Sequence, residues 1–409
     1  MILINRLKGN SLIISIYICE SIICSMIAHF VPIPNISVIL MIVLVIISFM
    51  LNSKINTSKV KNMLIPWSII QLLLIVSGII NGFSTILNYW VYFTVFGTTA
   101  AIVIANEFDV VKVCKYITII QTLYLLVYFI FIRRSFLNSG EDYYADSMGM
   151  AYAMTTIIYL TIVYHFYKKV INLGKMIRKL LYMDSLLSLF IILVDCRSRG
   201  PILVIIIATI VIFLSQSKGI KKIGFVIAGG ISTFLIVYNF WDIVIFIYEL
   251  LKRYNIEFSF VNKIIYLKKT DIGLMNGRNE LYEAAITEIM KKPIIGHGIG
   301  YYETLGLGYV HNIFLDILLC FGIIGVIIVT IMFFACVRRV FRKYNQDRIA
   351  SFFLLFFIGE LMLNFSSSMW LYPCFWLMFF GLINLSNANK NSILDKDLRK
   401  IFTLETKNC

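Results

Sequence analysis

Twelve apolar runs of about 20 residues constrain this chain more than any motif does. They lie near 11–31, 33–51, 64–82, 86–105, 116–132, 149–167, 180–196, 200–215, 223–240, 312–336, 349–366 and 370–387. Hydrocarbon offers backbone amides no hydrogen-bond partner, so a segment crossing it must satisfy its own, which a helix does. Composition agrees: 60% of the 409 residues are hydrophobic and 14% charged, where a soluble domain carries about 25% charged residues. The expected fold is therefore an all-α polytopic membrane protein with about 12 transmembrane helices and one long extracytoplasmic loop between spans 9 and 10.

Charge supplies the orientation. The net +15 raises nucleic-acid binding as an option, but every Lys and Arg falls outside the apolar runs. With the N-terminus inside, 25 cations lie in inner segments and 12 in outer ones, eight of these in one long loop that the positive-inside rule discounts. Both termini are expected in the cytoplasm, with the first run kept as a signal anchor. Membrane lipids are then partners and nucleic acid is not. The layout reads 1–240 as spans 1–9, 241–310 as the outer loop with short helices, 311–388 as spans 10–12, and 389–409 as a basic cytoplasmic tail. The eight cysteines show no CxxC or other ligand spacing, so neither a disulfide framework nor a zinc site is encoded.

A loop of some 70 residues in a compact membrane protein is usually functional. In it, Tyr254 to Lys269 mixes Phe258, Phe260, Ile264, Ile265 and Leu267 with Lys263, Lys268 and Lys269, the composition of a helix lying in the interface. Asn276-Gly277 marks a turn, Arg278 to Lys292 reads as a helix, and Pro293 ends it. Arg278, Tyr282, Ala285 and Ile289 share one face of that helix.

Three outer features carry chemistry: Arg197-Ser198-Arg199-Gly200 between spans 7 and 8, Arg278 in the loop, and His311-Asn312 opening span 10. Converging guanidiniums grip phosphate oxygens bidentately, and a neighbouring imidazole accepts a proton at neutral pH. A phosphate-bearing lipid beside a base for a hydroxyl is a glycosyl-transfer constellation. Each residue also has a plainer reading. Arg197 and Arg199 anchor a turn to headgroups, Arg278 is a solvated helix-end charge, and His311 enters a helix that Asn312 caps. Asp316 lies one turn below Asn312 and orients groups beneath His311, or is a structural hydrogen-bonding acid. Glu20 and Glu360 read as hydrogen-bonded buried acids, His297 as a solvated loop histidine, and Glu141–Asp146 as a solvated acidic run. No metal or other cofactor is expected.

The order Asn276-Gly277-Arg278-Asn279-Glu280-Leu281-Tyr282, Pro293, Gly296-His297-Gly298-Ile299-Gly300, His311-Asn312 and Gly322-Ile323-Ile324-Gly325, with Ser198-Arg199-Gly200 upstream, resembles the signature region of the O-antigen ligase and O-antigen polymerase (Wzy-type) superfamily. The resemblance covers roughly residues 196–325. It implies a GT-C-like, metal-independent, inverting glycosyltransferase whose donor is an undecaprenyl-diphosphate-linked oligosaccharide. It places Arg199 and Arg278 on the diphosphate and His311 as base or positioning residue. Arg197 has no firm counterpart, Gly296, Gly298 and Gly300 shape the loop, and Tyr282 stands where the family often has Trp. The implied activity is polymerisation of repeat units for capsule, O-antigen or exopolysaccharide at the outer face of the cytoplasmic membrane, beside the pathway's flippase and chain-length regulator. Ligase-type transfer to another acceptor is the alternative within the family, and a precursor transporter or flippase the alternative outside it.

Overall fold

The computed structural model describes residues 2–52, 57–137, 143–169, 171–196, 200–216, 238–254, 259–269, 278–307, 310–344 and 373–387, with single positions at 224, 229, 355, 356 and 359. Among the described residues the regular structure is entirely helical. The helices are α1 (Ile2–Ile18), α2 (Glu20–Phe30), α3 (Ile36–Leu51), α4 (Thr57–Asn81), α5 (Phe83–Ala105), α6 (Val110–Val127), α7 (Arg133–Leu137) and α8 (Tyr143–Tyr167). They continue with α9 (Lys175–Phe190), α10 (Gly200–Gln216), α11 (Phe240–Arg253), α12 (Ser259–Lys269), α13 (Arg278–Lys291), α14 (Tyr301–Thr304), α15 (Ile313–Tyr344) and α16 (Pro373–Asn387). π-Helical turns at Tyr128–Ile132 and Ile191–Asp195 extend α6 and α9.

Ten of the twelve apolar runs fall on these helices, while 223–240 and 349–366 lie largely outside the described residues. Among the described residues, five helices, over Lys59–Asn81, Ile86–Ala105, Val110–Leu137, Met148–Tyr167 and Ile313–Met332, are long and apolar enough to cross a membrane; α1 and α2 together make a sixth. The protein is a multi-pass membrane protein. The first run is not one straight helix: α1 and α2 meet at 72° across Cys19. Glu20 is buried beside this bend and accepts hydrogen bonds from the hydroxyls of Ser37 and, at 3.2 Å, Ser21.

Packing follows the logic of a hydrocarbon solvent, in which apolar side chains gain nothing by hiding from lipid and polar ones gain by meeting across helices. α3 turns Ile39, Ile42, Ile46, Phe49 and Met50 outward and buries Met41, Leu44 and Ser48. The buried Asn106 amide donates to the Ser48 hydroxyl at 2.9 Å, the Tyr17 hydroxyl to the Phe96 carbonyl at 2.8 Å, and the Asn384 amide to the Ile104 carbonyl at 2.9 Å. α5 is the hub, flanked by α3, α4 and α16, while α6 joins α1 to α9 and α8 lies against α9 and α10.

After Asn239, the part of the expected 254–269 helix that is described is α12, which packs Val261, Ile264 and Ile265 against Val244 and Trp241 of α11. Lys268 sits 4.7 Å from the Trp241 ring centroid, a cation–π contact that secures the pair.

Candidate active site

α13 forms where its sequence directs. Glu280 stands in the first turn and Lys291 in the last, matching the helix dipole, and Pro293 prevents continuation. Ala285 and Ile289 are fully or nearly fully buried and build a small core with Tyr302, Val310 and Leu319, so the face carrying Tyr282 lies on α15. Two phenols tie this layer to backbone: Tyr302 donates to the Leu281 carbonyl at 2.6 Å, and Tyr282 donates to the His311 carbonyl at 3.3 Å. Arg278 is the first residue of α13, and His311 immediately precedes Asn312 at the mouth of α15.

The Asn312 side chain caps α15, accepting from the amides of Phe314 at 2.9 Å and Leu315 at 3.3 Å. That is the plainer of its two roles. His311 is half-buried above this cap. Asp316 lies one turn on, and its carboxylate receives the Cys320 thiol at 3.6 Å.

The glycine-rich loop has a structural purpose that hydropathy does not show. α15 is broken at Gly322, whose φ of 61° and ψ of −163° are open essentially to glycine alone. The break frees main-chain groups, and the loop takes them. The Ile323 and Ile324 amides donate to the Pro293 and Ile294 carbonyls at 2.9 and 3.2 Å, and the His297 and Gly298 amides donate to the Leu319 and Cys320 carbonyls, both at 2.8 Å. A methyl group at Gly296 would lie 2.5 Å from the Cys320 carbonyl carbon. The other side of the loop is held by α4: the Ile299 amide donates to Ser77 Oγ, and the Asn81 amide donates to the Ile299 carbonyl at 2.9 Å. Tyr89 of α5 donates to Glu303 at the start of α14.

His297 corrects its expectation as a solvated loop histidine. It is 5% exposed, stacks on Tyr301 at 4.1 Å, and places Nε2 2.8 Å from the Glu288 carbonyl. Glu288 in turn accepts from Lys291 at 2.6 Å and from the Tyr301 hydroxyl at 3.0 Å. The Lys291 ammonium holds the Glu288 carboxyl below its ordinary range, while burial raises the Tyr301 phenol. His297 therefore locks the loop onto α13.

Of the residues singled out from sequence, the structure joins His311, Asn312, Asp316 and the helix that Arg278 begins. Arg197, Arg199, Glu360 and the side chains of Glu141 to Asp146 lie outside the described residues, as does the Arg278 side chain. Sequence reading missed Ser77, Asn81 and Tyr89, polar residues in apolar helices with no pattern to distinguish them, and the ion pair between Arg133 and Asp195.

Residues 185–330, from the middle of α9 to past the break in α15, match the family model described as O-Antigen ligase. This segment belongs to the O-antigen polymerase/ligase superfamily. Comparison with curated proteins finds no match. The O-antigen ligase segment thus contains Asp195, the Arg197–Gly200 element, α13, the glycine-rich loop and His311. The match supports a glycosyltransferase-like membrane protein, the family being one that works on lipid-linked oligosaccharides.

Proposed function

We propose that the protein is a polysaccharide polymerase that joins undecaprenyl-diphosphate-linked repeat units at the outer face of the cytoplasmic membrane. The observation that carries this reading is the Tyr282–His311 hydrogen bond. It ties the helix headed by Arg278 to the backbone of the residue preceding Asn312 and α15, which supports assigning the diphosphate-binding cation and the base to one site. In the proposed step, a sugar hydroxyl of the acceptor attacks the anomeric carbon of the donor from the face opposite the diphosphate. His311 takes the hydroxyl proton, the bond from anomeric carbon to diphosphate oxygen breaks, and lipid diphosphate leaves with the electron pair. Arg199 and Arg278 offset its growing charge. Inversion follows from single displacement, and the arginines make a metal unnecessary. Arg197 is a further cation at the same element. Orientation rests on the charge bias, which puts this site outside and both termini in the cytoplasm.

The test is deletion followed by analysis of surface glycan and lipid-linked intermediates. Single repeat units on lipid in place of long chains support the polymerase. Repeat units trapped on the cytoplasmic side, or unchanged polymer length, overturn it. The family description favours a second reading, transfer of a finished glycan to another acceptor; full-length polymer left on lipid in the deletion strain identifies that activity.

A further inference from the structure

α11 carries two apolar faces, and α12 covers one of them. With about 100° per residue round a helix, Phe240, Trp241, Val244, Ile245, Tyr248 and Leu251 share the face that meets Val261, Ile264 and Ile265 of α12. Ile243, Phe246, Ile247 and Leu250, with Tyr254 just past the helix end, fall within about 100° of one another on a second face, centred about 130° from the first. All five are exposed, Phe246 at 65% and Tyr254 at 67%. The exposed charges of Asp242, Glu249 and Arg253 run along one border of that second face. One apolar face therefore serves folding, and the other stays open.

Place, shape and charge together identify what covers the open face. α12 packs against the Ile191–Asp195 turn at the end of α9, the end that the charge bias puts outside. The α11–α12 pair is thus fastened where a span leaves the hydrocarbon. The flank of a single helix is convex, so these side chains make a ridge and not a pocket, which suits a fluid apolar surface better than a ligand of fixed outline. Among the exposed charges of the two helices, Lys252, Arg253, Lys268 and Lys269 outnumber Asp242 and Glu249, which complements anionic headgroups.

We propose that α11 lies in the outer interface of the membrane and seats Ile243, Phe246, Ile247, Leu250 and Tyr254 among phospholipid acyl chains. A helix of this kind sinks its apolar face about 5–10 Å into the boundary between headgroups and chains. The polar border of Asp242, Glu249 and Arg253 then meets the headgroups, and the start of the extracytoplasmic loop is held down on the surface. This concerns contact with phospholipid alone and stands whether or not the protein polymerises glycan.

The test is photocrosslinking of the purified full-length protein in nanodiscs of phosphatidylethanolamine and phosphatidylglycerol. Benzoylphenylalanine replaces Phe246, Leu250 or, as the control on the opposite side of α11, Lys252, and adducts are identified by mass spectrometry. Acyl-chain adducts are expected at 246 and 250 and none at 252. Adducts at 246 and 250 to a second copy of the chain, or to protein and not lipid, overturn the proposal, as does equal lipid labelling at all three positions. In a second measurement, Phe246→Glu with Leu250→Glu takes two large apolar side chains out of the boundary. Hydrogen exchange of the α11 amides in nanodiscs is then expected to quicken about 10- to 100-fold while α5 is unchanged. Wild-type exchange in that variant overturns the proposal; if the variant fails to fold, the aromatic-for-aromatic replacement at Phe246 decides.

Discussion

Gly322→Ala tests whether the break in α15 is a built joint. A Cβ there would lie 2.3 Å from the Ile294 carbonyl oxygen and 2.4 Å from its carbon, with the Ile295 nitrogen at 2.6 Å. These are backbone atoms, so no rotamer change relieves the clash. The residue's own conformation adds strain of about 1–3 kcal/mol for any side chain. Relief by moving the loop away breaks the two amide bonds of Ile323 and Ile324, worth about 0.5–1.5 kcal/mol each. The combined cost, about 2–6 kcal/mol, increases undocking of the loop by a factor of about 30 at the low end. Hydrogen–deuterium exchange of peptides covering 292–300 and 319–326 in nanodiscs reads this directly. Protection there is expected to fall at least 30-fold by the same arithmetic, about 1.4 kcal/mol per factor of ten, while α5 and α6 stay unchanged. Gly306→Ala is the control, since its φ is also positive but nothing lies within 4 Å of its Cβ. Wild-type protection in Gly322→Ala would refute the account of the break.

Other outcomes follow from the same contacts. His311→Ala is expected to abolish transfer while donor binding, measured separately by equilibrium titration, survives; loss of binding would remove the base assignment. Arg278→Lys is expected to lose most activity despite keeping its charge, because an ammonium lacks the planar fork, whereas Lys292→Ala is expected to be silent. The Lys291 ammonium lowers the Glu288 carboxyl from its ordinary value of 4.5, so their bridge acts fully above that value and is lost as pH falls through the lower folded one. Exchange protection over 288–301 is thus expected to hold down to about pH 5 and then decline, with Lys291→Ala removing that acid step. Transfer by the purified protein is expected to survive EDTA; loss restored by a divalent cation would bring the Glu141–Asp146 run into the chemistry.

What could be read from sequence was local. An apolar run is a count over neighbouring residues, so most helices fell where hydropathy put them, and α13 began at Arg278 and stopped before Pro293 because caps and breakers act within a turn. The Asn312 cap was legible for the same reason. What escaped depends on partners far along the chain. Gly322 sits in a run as apolar as any other, and only the docking of residues 293–298 makes it a break. His297 looked solvated because its glycine neighbours imply a turn, while its burial comes from Tyr301 and the Glu288 carbonyl. The Arg133–Asp195 pair is 62 positions apart and aligned by two π-helical turns, which no 3.6-residue periodicity foresees.

Four main-chain hydrogen bonds join the Pro293–Gly298 loop to α15, and main-chain bonds do not read side chains. Away from its glycines, this stretch should accept many substitutions at exposed positions such as Ile294 and Ile295, yet refuse a change in length. One residue inserted ahead of His297 would shift its two loop donors, the His297 and Gly298 amides, by a position and set the carbonyls of Leu319 and Cys320 against the wrong amides. Insertion scanning and substitution scanning of the same six codons should therefore give opposite maps, a pattern normally seen in paired strands rather than in membrane helices.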